Sequence, residues 1–100
     1  MNEIDAGSLV DTWFVYILRC DDDSLYTGIT KDVSRRCKQH NTGTASRYTR
    51  SRLPVNLEYL ERQPNQSRAL KRELAIKALS RKAKEALILL AADDPIDMYE

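Results

Sequence analysis

Two short runs of β-branched and aromatic residues, separated by a cluster of turn formers, constrain this chain most. Residues 13–19 read Trp-Phe-Val-Tyr-Ile-Leu-Arg, and residues 25–30 read Leu-Tyr-Thr-Gly-Ile-Thr. Such side chains suit a pleated, half-buried surface. The cluster Asp21-Asp22-Asp23-Ser24 between them is a turn signal. Two strands joined by so short a polar connection form an antiparallel hairpin. A lone hairpin is marginal in water, so the rest of the chain must supply a third strand and helices that cover the sheet.

The remaining pattern supplies them. Thr30 or Asp32 can cap a helix running to about His40, and Asn41-Thr42-Gly43 stops it. Residues 42–53 read as a polar, arginine-rich loop. Residues 53–60 read as a third strand, with Pro54 at its start, where a missing N–H costs least. Asn65-Gln66-Ser67 opens a helical stretch with Ser67 as its cap, and Leu70, Leu74, Ile76 and Leu79 recur at helical spacing. Ser80 divides this stretch from a last helix over about 81–92. The expected order is β-β-α-β-α-α, an α/β (α+β) fold with a three-stranded antiparallel sheet flanked by helices. Residues 1–11 read as a flexible leader, 12–92 as the domain and 93–100 as an acidic tail. The stripes over 74–79 and 87–90 are expected in the core, and Trp13 as core or cover for the hairpin.

Several function classes fall away early. One hundred residues make one domain with a modest core. No apolar run approaches the roughly 20 residues of a membrane helix, and the acidic start is unlike a secretory signal. Cys20 and Cys37 form neither a disulfide framework nor a CxxC pair, which fits reduced, structural thiols in a cytoplasmic protein. The net charge of +1 hides a partition: residues 31–52 carry seven Lys/Arg against one acid, and residues 66–84 carry seven against one. A phosphate backbone responds to such local density, not to the chain total, although a basic helix face is more often simply solvated.

Five residues on this frame carry chemistry. Tyr16 and Tyr26 lie on the two hairpin strands, where pairing brings their phenols to one face. Gly28 leaves bare backbone nearby. Arg36 and His40, four apart, share a helix face. Glu73 sits among Arg68, Lys71, Arg72 and Lys77, as a paired acid or as a hard oxygen ligand for Mg²⁺. Phosphodiester hydrolysis needs an activated water, positive charge on the equatorial oxygens and a stabilised leaving oxygen. A tyrosine, with an ordinary pKa of about 10, serves as base only if that value falls or its proton is relayed. Arg36 is a suitable clamp, being always charged and able to hold two oxygens. Taken singly, each residue has a plainer reading: strand aromatics for the tyrosines, a helix C-terminal dipole partner for His40, an i,i+4 partner of Lys77 for Glu73.

The pattern as a whole resembles the GIY-YIG nuclease superfamily. Phe14-Val15-Tyr16 precedes Tyr26-Thr27-Gly28 by ten residues, followed by Ile29-Thr30-Lys31-Asp32 and by Arg36 and His40 at a four-residue spacing. The segment 68–88, with Glu73, Ile76-Lys77 and Leu79-Ser80, resembles that family's helical half. The likeness covers roughly residues 12–90 and is closest to the small stand-alone bacterial proteins of the YhbQ type. It implies Mg²⁺- or Mn²⁺-dependent endonuclease activity on nucleic acid, DNA foremost, in repair or recombination. It implies that one of Tyr16 and Tyr26 assists deprotonation of the water, without saying which. Arg36 then stabilises the transition state, His40 positions or shuttles a proton, and Glu73 holds the metal.

Three departures accompany the likeness. Phe14 replaces a glycine, Ile29 stands where some members have lysine, and no asparagine occurs between Glu73 and Ala92. The first is common among the small proteins and counts for little; the missing lysine and asparagine support an alternative, a nucleic-acid-binding module with little turnover. The loop Ser46-Arg47-Tyr48-Thr49-Arg50-Ser51-Arg52 reads as a docking surface in which Arg47, Arg50 and Arg52 hold phosphates and Tyr48 stacks on an unpaired base. Gly28, Lys31 and Arg35 join them as expected nucleic-acid contacts. All five site residues are expected to converge around a cation on the exposed side of the sheet. No base-reading helix is visible; no protein partner is indicated, although a third reading is an interaction subunit that borrows its targeting from a partner protein.

Overall fold

The computed structural model describes residues 11–92, so the expected leader, Asp11 apart, and the expected tail lie outside the described residues. Strand β1 spans Trp13–Arg19 and β2 spans Leu25–Thr30. Helix α1 follows over Val33–Asn41, then a short α2 over Arg47–Arg50. Strand β3 spans Asn56–Gln63, and helices α3 and α4 span Gln66–Lys77 and Arg81–Ala91. The sheet order is β2-β1-β3, antiparallel throughout. The hairpin therefore forms as expected, with β1 central and β2 as an edge.

Local signals explain most boundaries. The Asp32 carboxylate accepts the Arg35 N–H and starts α1. Asn65, not Ser67, caps α3 by accepting the Arg68 N–H. Ser80 caps α4 by accepting the Ala83 N–H. An N-cap oxygen satisfies a donor that the first helical turn leaves without a partner, contributing about 1 kcal/mol. At the far end of α1, the Asn41 side chain bonds both the N–H and the carbonyl of Val55. That staple brings the chain back to the sheet after α2.

Alternation along β1 sends its residues to two different cores. Tyr16, Leu18 and Cys20 pack with Val33, Val55 and Leu60 under α1. Val15 and Ile17 pack with Tyr59, Ala69 and Ile76 under α3, with Leu87 and Ile88 of α4 at the margin. Arg19 ties the hairpin end to α4 through a two-pronged pair with Glu85 at 2.9 and 2.7 Å. Bound by Arg19 and Arg81, the Glu85 carboxyl is held down to about 2.

Three expectations need correction. The segment expected as loop contains α2, capped by the Ser46 hydroxyl on the Tyr48 N–H. Strand β3 begins and ends three residues later than hydrophobicity indicated, because cross-strand pairing sets its length: Glu61, Arg62 and Gln63 pair with Val15, Phe14 and Trp13. The apolar stripes are core only in part: Ile76, Leu87 and Ile88 pack there, and most of the leucines do not. Ile76 is fully buried, but Leu70, Leu74, Leu79, Leu89 and Leu90 are exposed, the last two by 74% and 79%. A helix lying on a sheet buries one stripe, here Ala69 and Ile76 two turns apart, and these leucines lie off it. Among the described residues no helix is long and apolar enough to cross a membrane.

Candidate active site

The hairpin register creates the centre. Tyr16 pairs with Gly28, and Tyr26 pairs with Leu18, so both phenols stand on the face covered by α1. Their ring centres are 6.4 Å apart. Helix α1 then delivers His40, whose ring lies edge-on to both, at 5.8 Å from Tyr16 and 5.1 Å from Tyr26. The Tyr16 hydroxyl is 2.9 Å from His40 Nε2, and His40 Nδ1 is 2.8 Å from the Thr49 hydroxyl. Tyr16, His40 and Thr49 are all buried, with 1%, 0% and 0% of their surface exposed.

Charge acts on this chain of groups from one side. Burial pushes the Tyr16 phenol well above its usual range, with Tyr26 adding to the rise, while the nearby Arg36 guanidinium opposes it by charge and hydrogen bonding. Burial, then Arg36, holds His40 below its usual range of about 6.5. His40 is thus neutral at neutral pH. An unfolded histidine takes up a proton near pH 6.5 and the folded one resists it, so its contribution to stability is complete above that value and lost as pH falls below it. The melting temperature should therefore drop between about pH 7 and pH 5, and His40→Gln should flatten that limb. An equal slope in the variant would place the titration elsewhere.

Two openings flank the centre. A groove of about 320 Å³ is lined by Trp13, Thr30, Lys31, Asp32, Arg35, Arg36 and Gln39. A second, of about 260 Å³, lies at the β2 edge between Leu25, Tyr26, Thr27, Tyr48, Lys77 and Lys84. Tyr26 is the phenol that reaches an opening, and Arg36 links the buried chain to the cationic groove. Lys31 stands over the Trp13 ring at 5.6 Å, and both Lys31 and Arg35 are exposed.

The five expected groups do not converge as a set on an open surface. Tyr16, Tyr26, Arg36 and His40 come together, but with Tyr16 and His40 sealed inside. Glu73 belongs to α3, which packs on the opposite face of the sheet. Its carboxylate is paired with Lys77 at 3.2 Å, and among the described residues no hydrogen bond or ion pair joins it to either tyrosine. It approaches the site only around the β2 edge, where Lys77 lines the Tyr26 opening. Among the described residues no three carboxylate, imidazole or thiolate groups stand together as metal ligands. Glu73 offers one hard oxygen donor, which suits Mg²⁺ if water and phosphate oxygens complete its shell and Lys77 is displaced.

The expected docking loop is also rearranged. Tyr48 stacks on Tyr26 at 6.1 Å, and the Arg52 guanidinium sits over the Tyr48 ring at 3.9 Å. Arg52 also holds Asp22 and the Tyr48 carbonyl, at 3.0 and 2.7 Å. Tyr48 is thus a cover on Tyr26 and Arg52 its clamp; neither is free for a base or a phosphate as expected. Arg47 and Arg50 are exposed. Gly28 is buried against the Tyr16 phenol. The sequence reading missed Thr49, Lys77 and Lys84. Ser46, a helix-capping residue three positions before Thr49, is the one local signal that α2 exists.

A three-stranded antiparallel sheet flanked by helices is the architecture of a GIY-YIG domain. The model of the GIY-YIG catalytic domain matches residues 12–86, and the chain belongs to that family. It is similar to a UPF0213 protein of Staphylococcus aureus, 49% identical over 79 residues, covering 79% of this chain and 96% of that protein. Two solved structures share the fold. The UPF0213 protein of Bacillus halodurans has a TM-score of 0.53 at 44% identity, covering 79% of this chain and 84% of that one. The E. faecalis protein EF2693 has a TM-score of 0.55 at 33% identity, covering 81% and 88%.

Proposed function

We propose that the chain is an endonuclease that hydrolyses nucleic-acid phosphodiester bonds, DNA foremost, with Tyr26 as the phenol that meets the attacking water. The single observation that carries this reading is the division of labour between the tyrosines. Tyr16 is buried with its hydroxyl committed to His40, while Tyr26 opens onto a pocket lined by Lys77 and Lys84.

Each step has a residue. The strand lies along the cationic groove, with Lys31 and Arg35 on its phosphates and Arg47 and Arg50 extending the basic surface. Water attacks phosphorus as its proton passes to the Tyr26 oxygen, and the phenolic proton of Tyr26 leaves in the same step to solvent through the opening beside Lys77 and Lys84. Arg36 neutralises the equatorial oxygens, whose charge is greatest in the transition state. Tyr16 and His40 hold Arg36 and the base of the pocket in place. The phosphorus–oxygen bond to the leaving group then breaks. Glu73 would hold the Mg²⁺ or Mn²⁺, which supplies positive charge at the leaving oxygen. A role in repair or recombination, in the cytoplasm, belongs to the same proposal; neither cysteine is in a disulfide, in keeping with a reducing compartment.

The test is a cleavage panel: duplex, branched and single-stranded DNA and RNA, each with Mg²⁺, Mn²⁺ or EDTA. Metal-dependent cutting is expected, strongest on branched DNA if the repair role holds, and lost in Glu73→Ala and Tyr26→Phe. If no substrate of any shape is cut, the hydrolytic reading falls. One observation favours a second reading, a binding module with little turnover: Glu73 is paired with Lys77 across the sheet from Tyr16. That reading gives salt-dependent binding, weakened in Arg47→Ala and Arg50→Ala, with no nicking.

A further inference from the structure

Thr49 has no place in the chemistry just described, yet it is wholly buried with its hydroxyl on the only histidine of the chain. The protons in this chain of groups can be placed by bond accounting. Arg36, beside the Tyr16 hydroxyl, only donates. The Tyr16 O–H, 2.9 Å from His40 Nε2, then donates to that nitrogen. No buried side-chain polar atom among the described residues lacks a partner. A neutral imidazole that accepts at Nε2 carries its hydrogen on Nδ1, and that N–H must donate to the Thr49 oxygen. The Thr49 O–H turns to the Ser46 carbonyl at 3.4 Å, which also takes the Arg50 N–H.

We infer that Thr49 is a positioning residue: by accepting the Nδ1–H of His40 it locks the imidazole in the tautomer whose Nε2 receives the Tyr16 proton. Its neighbour Tyr48 stacks on Tyr26. One short helix, α2, therefore steadies both tyrosines of the centre, Tyr26 directly and Tyr16 through His40. The opposite tautomer would take this acceptor away from the buried Tyr16 O–H. The catalytic consequence rests on the proposed hydrolysis; the protonation pattern does not.

Because the chain holds one histidine, its ring nitrogen signals are unambiguous in ¹⁵N NMR. Wild type at neutral pH should show hydrogen on Nδ1 and a bare Nε2. Thr49→Val, which keeps shape and removes the acceptor, should move the hydrogen toward Nε2; Thr49→Ser should restore the original pattern. On the substrate that the panel selects, Thr49→Val should lower kcat by roughly 10- to 100-fold with KM unchanged, as expected when the groups that hold Arg36 and the base of the pocket are displaced. A wild-type ring protonated on Nε2 overturns the inference, even if Thr49→Val does not fold. So does a folded Thr49→Val that keeps hydrogen on Nδ1. If the nitrogen pattern shifts as stated but no substrate is cut, the tautomer lock stands and the hydrolytic reading alone fails.

Discussion

Arg36→Ala is expected to reduce metal-dependent cleavage by about 10²–10³-fold, the loss seen when one preorganised donor to a transition-state oxygen is removed. The reason is placement. Arg36 is half-buried on α1, lines the cationic groove and acts on the Tyr16 hydroxyl at the same time. Among the described residues it joins the groove to the buried centre. Arg36→Lys should recover little, because an ammonium cannot span two phosphoryl oxygens as a guanidinium does. Stability should change by no more than roughly 1 kcal/mol, as is usual for a partly exposed side chain outside the core. A second readout accompanies the rate. Arg36 contributes to holding His40 below its usual range, so the imidazole should titrate at higher pH in Arg36→Ala. A variant that cuts at the wild-type rate, or whose His40 titrates as before, removes the guanidinium from the mechanism.

The parts legible in the sequence were those that local patterns decide. The hairpin followed from two β-branched runs around four turn formers, and its register placed Tyr16 beside Tyr26 on one face. The cap of α1, narrowed to Thr30 or Asp32, and the division at Ser80 were legible for the same reason, since a capping side chain bonds within three residues. What depends on partners distant in the chain was not legible. Nothing in the spacing of Tyr48, Arg52 and Asp22 reveals that Arg52 spans 30 residues to clamp the cover on Tyr26. Thr49 looked like one hydroxyl in a polar loop, because its worth comes from His40 nine residues earlier. Glu73 kept the right residue type in the right order, but order does not say on which face of the sheet a helix lands. The exposed leucines of α3 and α4 mark the same gap: helical periodicity shows that a stripe exists, while the helix's resting line on the sheet selects which residues it buries.

Gly28→Ala should destabilise the fold strongly although it adds a single methyl. The position does not need glycine for its backbone, since Gly28 lies within β2 and the left-handed region is reserved among the described glycines for Gly43. The obstacle is the side chain opposite. A Cβ at 28 would stand 2.5 Å from the Tyr16 hydroxyl oxygen and 2.7 Å from the adjoining ring carbon. Tyr16 is 1% exposed, so its ring cannot swing into solvent. Either β2 pulls away from β1, or the phenol tilts and leaves His40 Nε2 without its partner. Overpacking costs about 1–3 kcal/mol, and a broken buried hydrogen bond costs about 1–3 kcal/mol more. At roughly 4–8 °C per kcal/mol for a domain of this size, the melting temperature should fall by at least about 8 °C. Cleavage should fall with it even at temperatures where the variant is folded, because the phenol that braces Arg36 has moved. The decisive comparison is a double-mutant cycle with Tyr16→Phe, which deletes the nearest clashing atom. The double variant should be less destabilised than the sum of the two single ones, since one clash and one lost hydrogen bond are then counted once. Strict additivity would mean that Gly28 is required for something other than room for the Tyr16 phenol.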